Sequence, residues 1–370
     1  MHLIPRRNRV GIVSTAQTRL RSAWSDAQHT DLISAVVQRA LKGSGLRIED
    51  VEFVIDSGSD VLDGRSISNC GFLGAMGAHH KEESRVEDDG LWAALYGVTK
   101  IASGAADVGL IIAYSKPSES DVSKFFSTMA DPFYQRTVGL DENTASGLMA
   151  QSYLGRHGLR EEDLAEVAAS AWARAAANPH VEFASVPDQD AIMASPLVAS
   201  PLRQLMMARP VDGAVAIILA SERVARRVTS APVWVTGMGS AMESNVFTMR
   251  APGLDACVKA ARSAYKRAGV GVDKIESAEF SATSAVAELM TLEALGLAEP
   301  GAAMAVVRGS RGGLVNASGG AIPANPIMAT GLVRLAEATE QLRDGRAANA
   351  VVHASSGIGA QSHCVFVVEV

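Results

Sequence analysis

The sequence predicts an α/β protein made of two similar βαβαβ halves, with a longer and less regular segment inserted between them. Apolar runs of strand length alternate with amphipathic helical segments over residues 10–114, and the alternation returns over residues 233–370. The halves also share a helix-to-strand connection. Residues 101–115 and residues 342–356 both run from the end of a helix through a glycine into a buried strand. An internal duplication explains this match, although any two helix–glycine–strand joints would look alike.

The first half contains five predicted elements. Residues 10–13 form a short strand, residues 31–42 a helix, residues 51–55 a strand, residues 91–103 a helix and residues 108–114 a strand with both faces buried. This β-α-β-α-β order predicts a mostly parallel sheet that is covered by helices on both sides.

The second half repeats the pattern with eight predicted elements. Strands are expected at residues 233–236, 277–281, 304–307, 350–354 and 364–370, and helices at residues 254–268, 286–295 and 330–342.

The inserted segment divides the chain into three predicted domains. Residues 1–116, completed by residues 203–228, form the first half; residues 117–202 form a loop or cap domain; and residues 229–370 form the second half. The insert is rich in Ser, Pro and Asp and carries one clear helix at residues 161–177. A segment of this length between two core units is typical of a binding loop or cap.

Composition excludes several classes of function. Hydrophobic residues are 48% and charged residues 20% of the chain, as in ordinary globular proteins, and no apolar run is long enough to suggest a membrane span. The net charge of −6 gives no reason to expect nucleic-acid binding. Cys70, Cys257 and Cys364 are far apart and form no CxxC pair, so we expect neither a disulfide framework nor a metal in this chain. The N-terminus does not resemble a signal peptide, and we expect a cytoplasmic protein.

Several stretches together resemble the thiolases, in the same order along nearly the whole chain. The resemblance is closest to the sterol-carrier-protein-thiolase-like branch, which includes aldolase-like members. It implies a five-layer αβαβα thiolase fold, coenzyme A thioesters as substrates, a homodimer, and for some members a small OB-fold/zinc-ribbon partner subunit. The matching stretches are residues 9–18 (RVGIVSTAQT), 153–159 (YLGRHGL), 175–179 (AAANP), 210–222 (PVDGAVAIILASE), 292–297 (LEALGL) and 315–321 (VNASGGA).

Thiolases carry a nucleophilic cysteine at the N-terminus of a helix, in the motif Cys-x-Ser-Gly, where the helix dipole favours the thiolate. An ungapped count places Glu87 at the cysteine and Asp89 at the serine, and a one-residue gap would shift the match to Asp88. These carboxylates are either helix caps or a catalytic acid and base. In both cases the acyl-accepting sulfur of the family is missing.

The other motifs of the family are also changed. Ser281 stands where the branch has a histidine; it could donate to a thioester oxygen or cap the following helix. Asn325 precedes Pro326 where thiolases have Gly-His-Pro, so it can donate to an oxyanion but cannot take a proton, unless it only forms a turn. His353 lies near the expected end of a buried strand before a Gly-rich turn and is either a core histidine or a general base. From the matching stretch at residues 315–321, we expect Ser318, Gly319 and Gly320 to contact coenzyme A.

This set of residues favours chemistry through an enolate rather than through an acyl-enzyme. We expect non-covalent retro-aldol or retro-Claisen cleavage of an acyl-CoA, with His353 as the base, Asn325 and Ser281 holding the enolate oxygen, and Glu87 or Asp89 relaying a proton. Two alternatives remain open: thiolase-type acyl transfer to coenzyme A, and a non-catalytic thiolase-fold subunit of a hetero-complex.

Overall fold

The computed structural model describes residues 9–250, 252–309 and 314–370. Its first part contains β1 (Val10–Gln17), α1 (His29–Ser44), β2 (Phe53–Ser57), α2 (Asp60–Asp63), α3 (Leu73–Met76), β3 (Glu82–Val86), α4 (Gly90–Ala102) and β4 (Val108–Ser115). The following segment contains α5 (Val122–Met129), α6 (Glu142–His157), α7 (Glu161–Ala175), α8 (Gln189–Ala194), β5 (Leu197–Ala199), β6 (Leu202–Arg203), β7 (Gly213–Ser221) and α9 (Glu222–Val228). The last part contains β8 (Val233–Met242), α10 (Asp255–Ala268), β9 (Ser277–Phe280), α11 (Ala285–Ala294), α12 (Ala303–Arg308), α13 (Thr330–Arg343), β10 (Asn349–Ser356) and β11 (Ser362–Glu369).

Among the described residues, nine strands form one sheet in the order β3-β2-β4-β7-β1-β8-β11-β10-β9, and β5 pairs separately with β6. Three neighbouring pairs are parallel (β3/β2, β2/β4 and β10/β9), and the other five are antiparallel. The expectation of a mostly parallel sheet is therefore wrong. The reason is that β7 and β11 return antiparallel to both of their neighbours, and β1 joins β8 antiparallel where the halves meet.

The two halves follow the same path. The order β1-α1-β2-α4-β4-β7 in the first half corresponds to β8-α10-β9-α13-β10-β11 in the second. The edge strand β3 has a reduced counterpart at Val315, which forms a single parallel bridge to Ala278 of β9. In this alignment α4 and α13 are equivalent helices, and they pack against each other.

The helices lie in layers around the sheet. Side chains of α4 and α13 share one apolar core with strands of both halves, including Leu91, Leu332 and Phe366. On the opposite face of the first half, α1 packs on the sheet through Ile33 and Val36. In the second half, α10 covers the outer face of β8 and β11. This gives the α-β-α-β-α layer order of the thiolase fold, with the N-termini of two equivalent helices in the middle layer.

The inserted segment packs on the second half, because α6 and α7 contact α11. Its core residues join those of α10 and α11 in one cluster, to which Tyr153, Leu164 and Leu292 belong. No helix in the described ranges is long and apolar enough to cross a bilayer.

Two local predictions differ from the structure. Residues 304–307, expected as a strand, lie in α12, which buries Ala303 and Met304 and pairs its Arg308 with Glu166 of α7. The strand β3 was not predicted because its Glu-Glu-Ser-Arg-Val sequence is polar and partly exposed, as is common at a sheet edge.

Candidate active site

A narrow pocket opens where the N-termini of α4 and α13 approach the carboxyl end of β10. Its cavity volume is about 40 Å³, enough for a few water molecules or a thin chain of atoms. Residues from both halves and from the inserted segment meet here. The lining residues are Asp89, Phe125, Phe126, Met129, Glu142, Ser281, Ala282, Thr283, Ala321, Asn325, Ile327, Met328, Thr330, Ser355, Ser356 and Gly357.

Asp89 joins the two central helices at this pocket. Its Oδ1 accepts the backbone N–H of Leu91 in α4 at 2.8 Å, and its Oδ2 accepts that of Gly331 in α13 at 2.8 Å. Burial raises the pKa of Asp89 to about 7, although both backbone donors oppose the shift. The carboxyl group therefore caps two helix N-termini and can also exchange a proton near neutral pH.

The neighbouring carboxylates are placed differently. Glu87 is exposed, and it accepts hydrogen bonds from the backbone of Asp60 at 2.8 Å and from Arg85 at 3.2 Å. Asp88 is partly buried; burial raises its pKa, and a hydrogen bond from Ser356, which lines the pocket, opposes that shift. The structure thus brings Asp89 into the pocket lining and leaves Glu87 at the surface.

Asn325 is held with its amide group in a defined orientation. Its Oδ1 accepts the hydroxyl hydrogen of Thr330, while its backbone N–H donates to Arg209 at 2.8 Å and its carbonyl accepts from Val211 at 3.1 Å. The amide oxygen is already occupied, so the Nδ2 hydrogens are the part of this side chain left to bind a ligand. They have no protein acceptor among the described residues. Asn325 lines the pocket, so it can donate to a ligand oxygen there.

Ser281 follows β9 and also lines the pocket. Its Oγ accepts the backbone N–H of Ser355 at 3.0 Å, and its own backbone N–H donates to the carbonyl of His353 at 3.0 Å. The cap of the following helix is Ser284, whose side chain accepts from Ala287. The hydroxyl hydrogen of Ser281 can therefore be directed to a ligand.

Sequence reasoning missed Glu142, the first residue of α6. This side chain is buried in the pocket wall, where Oε1 accepts from Thr283 at 2.7 Å and from Ser146 at 3.2 Å, and Oε2 accepts from the backbone of Gly359 at 2.8 Å. Burial raises the pKa of Glu142. An acidic residue after Asp141 at a helix start looks like ordinary capping, so the sequence offered no signal that it points inward.

The structure does not bring His353 to the pocket. The sequence predicted that this strand ends at residue 354, but β10 continues to Ser356. His353 therefore lies within the sheet, while Ser355 and Ser356 occupy the strand end and line the pocket. Its Nε2 lies 3.0 Å from Nδ1 of His363. Burial, followed by the neighbouring His363, lowers the pKa of His353 well below its ordinary value, which keeps this imidazole neutral.

The three residues expected to contact coenzyme A do not line the pocket. The Ser318 hydroxyl donates to Glu279 at 2.6 Å in a buried network that includes Arg334. Gly319 has a φ of +98°, and a Cβ there would lie 2.5 Å from the Cβ of Ala175. Gly320 has a φ of +69°, and a Cβ there would lie 2.7 Å from Nδ2 of Asn316. The turn therefore fits closely against α7 and its own preceding loop.

None of the three thiols lines this pocket. Cys70 is exposed, whereas Cys257 and Cys364 are buried. Cys364 Sγ lies 4.0 Å from the carbonyl of Leu91, beneath the N-terminus of α4. Burial, and then Asp89 and Asp88, raise the pKa of Cys364 well above its ordinary value, so the reactive thiolate is strongly disfavoured.

A second cavity of about 200 Å³ lies beside the first. Gly359 lines it, and the backbone N–H of this glycine donates to Glu142 in the wall of the first pocket. Arg250, which also lines the second cavity, donates to the carbonyls of Ile358 and Gly359 at 2.7 and 3.0 Å. The two cavities are thus separated by the Glu142–Gly359 contact.

Comparison with known proteins shows similarity to thiolases. Residues 239–369 match the thiolase C-terminal domain-like family. The chain is 26% identical to an acetyl-CoA acetyltransferase of Methanothermobacter thermautotrophicus over 90% of this chain and 91% of that protein. It is 26% identical to sterol carrier protein 2 of Gallus gallus over 90% of this chain and 66% of that protein.

The fold agrees with these sequence matches. A solved structure described as an Ltp2-ChsH2(DUF35) aldolase superposes with a TM-score of 0.82 at 20% identity, covering 98% of both chains. The resemblance noted in the sequence is therefore confirmed: the chain has the thiolase fold, and its sequence is similar to proteins of the thiolase superfamily, including the sterol-carrier-protein-thiolase-like branch.

Proposed function

We propose that this protein binds a coenzyme A thioester and breaks or forms the carbon–carbon bond next to the thioester without a covalent intermediate. The simplest such reaction is retro-aldol cleavage of a 3-hydroxyacyl-CoA. One observation carries the proposal: the pocket combines an oriented amide donor, Asn325, with two buried carboxyl groups, Asp89 and Glu142, and none of its lining residues is a cysteine.

The thioester oxygen would accept hydrogen bonds from Asn325 Nδ2 and from the hydroxyl of Ser281. Donors of this kind stabilise the negative oxygen that develops as an enolate forms, and they act strongly where water is excluded. The hydroxyl hydrogen of Thr330 on Asn325 Oδ1 keeps the amide from turning its oxygen towards the enolate.

Glu142 would take the proton from the 3-hydroxyl group. The C3–O bond then becomes a carbonyl, the C2–C3 bond breaks, and its electron pair passes to the enolate of the shortened thioester. Asp89, with a pKa of about 7, would donate a proton to C2. The products are an aldehyde or ketone and a shorter acyl-CoA, and the two carboxyl groups exchange one proton for the next cycle. This replaces His353 as the base, because that imidazole is buried away from the pocket.

The two ends of the site have different chemistry. Apolar side chains at the first pocket, including Phe125 and Met328, suit an acyl chain. The adjoining cavity of about 200 Å³, with Arg250 in its wall, suits the pantetheine arm and its anionic end. For the two to connect, the Glu142–Gly359 contact must open, so binding would involve a local movement of the β10–β11 turn.

A second candidate function is a non-catalytic subunit, and the small first cavity of about 40 Å³ favours it. Since one similar solved structure is described as an Ltp2-ChsH2(DUF35) aldolase, we include in the proposal a small OB-fold/zinc-ribbon partner. We also propose a homodimer, which the resemblance to thiolases implies. Both assemblies are testable by size-exclusion chromatography with light scattering.

The decisive assay uses the purified chain, alone and with a co-expressed partner, on a series of 3-hydroxyacyl-CoA substrates. We expect release of a carbonyl product and a shortened acyl-CoA, with Asn325→Ala and Glu142→Gln strongly impaired and the surface variant Cys70→Ser unchanged. A stable acyl adduct in the intact mass spectrum would favour acyl transfer. Thioester binding without turnover in either state would favour the non-catalytic subunit.

A further inference from the structure

A buried cluster of one thiol and two imidazoles lies outside the pocket, between α10 and the β10–β11 hairpin. Cys257 comes from the first turn of α10, His353 from β10 and His363 from β11. All three residues are 0% exposed. One ligand atom from each lies within 4.8 Å of the other two, and His353 Nε2 is 3.0 Å from His363 Nδ1.

The histidine pair is incompletely satisfied. A single contact joins the rings. Among the described residues, Nδ1 of His353 and Nε2 of His363 make no hydrogen bond of normal geometry although both are buried, and the Ala360 backbone near His363 only raises the pKa of that imidazole. A buried polar atom without a partner carries its full desolvation cost, so native structures rarely keep two of them side by side. A bound ion would replace the single contact between the rings with bonds to one nitrogen of each histidine and to the sulfur of Cys257.

We propose that Cys257, His353 and His363 bind one zinc ion. Zinc takes thiolate and imidazole ligands, and three protein ligands leave its fourth tetrahedral position to a water molecule. Metal–ligand bonds of about 2.0–2.1 Å to nitrogen and about 2.3 Å to sulfur place tetrahedral ligand atoms roughly 3.3–3.6 Å apart, so the three ligand atoms, now within 4.8 Å of one another, need small side-chain shifts to bind the ion. Binding releases the thiol proton and replaces the contact between the two imidazoles. The site goes beyond the proposed function, and it departs from the sequence expectation that this chain holds no metal.

The second cavity would be the route by which the ion reaches the cluster. Leu254, three residues before Cys257, and Gly359, in the β10–β11 turn, both line it. Glu243, which also lines this cavity, accepts the backbone N–H of Ala256 at 2.5 Å and brings negative charge close to the thiol. An ion held here would fasten α10 to the hairpin whose end carries Ser355 and Ser356 into the first pocket.

The test is zinc binding by the full chain, purified without a histidine tag and dialysed against a chelator. Titration with zinc in the presence of a chromophoric chelator is expected to give one equivalent bound per chain. Cys257→Ser is expected to lose roughly 100-fold or more in affinity, since even outer partners of metal ligands are worth about 10–100-fold. The matched control Cys364→Ser, a buried thiol on the opposite face of the sheet, is expected to bind as the wild type does.

Cobalt substitution keeps the test decisive if Cys257→Ser folds poorly. A thiolate-to-cobalt charge-transfer band is expected in the wild type and in Cys364→Ser. The proposal is overturned if the wild type binds less than about 0.1 equivalent of zinc and shows no such band. Equal zinc affinity in folded Cys257→Ser and wild type also overturns it.

Discussion

Replacing Asp89 with Asn changes how the stability of this protein depends on pH. In the wild type, the buried carboxyl group caps α4 and α13, and its pKa is raised to about 7 by burial. The asparagine variant keeps the size of the side chain but removes the titration. The difference in unfolding free energy between the two proteins therefore isolates this one group, because other carboxyl groups titrate similarly in both.

The sign follows from proton linkage. Between pH 4 and 7 the folded wild type holds a proton on Asp89 that the unfolded chain has lost, so folding takes up a proton and stability falls as pH rises. Above pH 7 both states are ionised and the effect levels off. With a pKa of about 7 in the folded state against 3.8 unfolded, the wild type loses about 2.5 kcal/mol relative to the variant between pH 5 and pH 8.

Equilibrium urea unfolding at several pH values measures this difference. Asp60→Asn is the matched control: hydrogen bonds from the backbone of Ser68 and Ile67 lower the pKa of Asp60, so its contribution is lost only when pH falls below about 4 and stays constant from pH 5 to 8. A wild-type minus Asp89→Asn difference that changes by less than about 1 kcal/mol over the same range would refute the assignment of a raised pKa to Asp89.

Three further predictions concern activity. Asn325→Ala removes the amide donor and should lower kcat by about 100-fold or more with little change in KM, as loss of an oxyanion donor does in other enzymes; steady-state kinetics on the preferred thioester checks this. Glu142→Gln should abolish turnover, yet raise the unfolding temperature at pH 8, because an amide avoids the cost of a buried charge; calorimetry with the activity assay shows whether both changes occur. The wild-type rate should fall as pH rises through about 7, since Asp89 then loses the proton it donates, and a profile that rises through pH 7 would contradict that role.

Much of the fold could be predicted from sequence because local patterns determine it. The alternation of apolar runs and helices identified the main strands and helices of both halves, although β1 and β8 extend four and six residues beyond their predicted ends. Whether neighbouring strands run parallel or antiparallel was harder to predict. β7 and β11 have the same apolar composition as parallel strands, and only the complete topology sets their orientation. The short Val-Val run at residues 306–307 was ambiguous, and packing against α7 made it helical.

Candidate site residues could be placed at one pocket where one motif determines one position. Asp89, Ser281 and Asn325 come from three motifs and line the same pocket. Glu142 was missed because its role depends on the inserted segment folding back onto the second half, which no local spacing records. His353 was misplaced by two residues of strand length, which separate the sheet interior from the pocket edge.

The cluster of Cys257, His353 and His363 shows the same limit. Cys257 lies about a hundred positions before His353, and His363 lies ten positions after it. No sequence motif for zinc has that spacing. Only the packing of α10 across β11 brings the thiol to the imidazoles.

The proposed chemistry requires that the pocket act on a thioester without a sulfur nucleophile. The most direct test compares wild type and Cys364→Ser, the thiol nearest to the α4 N-terminus, with a 3-hydroxyacyl-CoA while following products and intact protein mass. We expect the same rate of carbonyl and shortened thioester release from both proteins, with no acyl adduct on either. An acyl group on the wild type, together with lost turnover in Cys364→Ser, would contradict it.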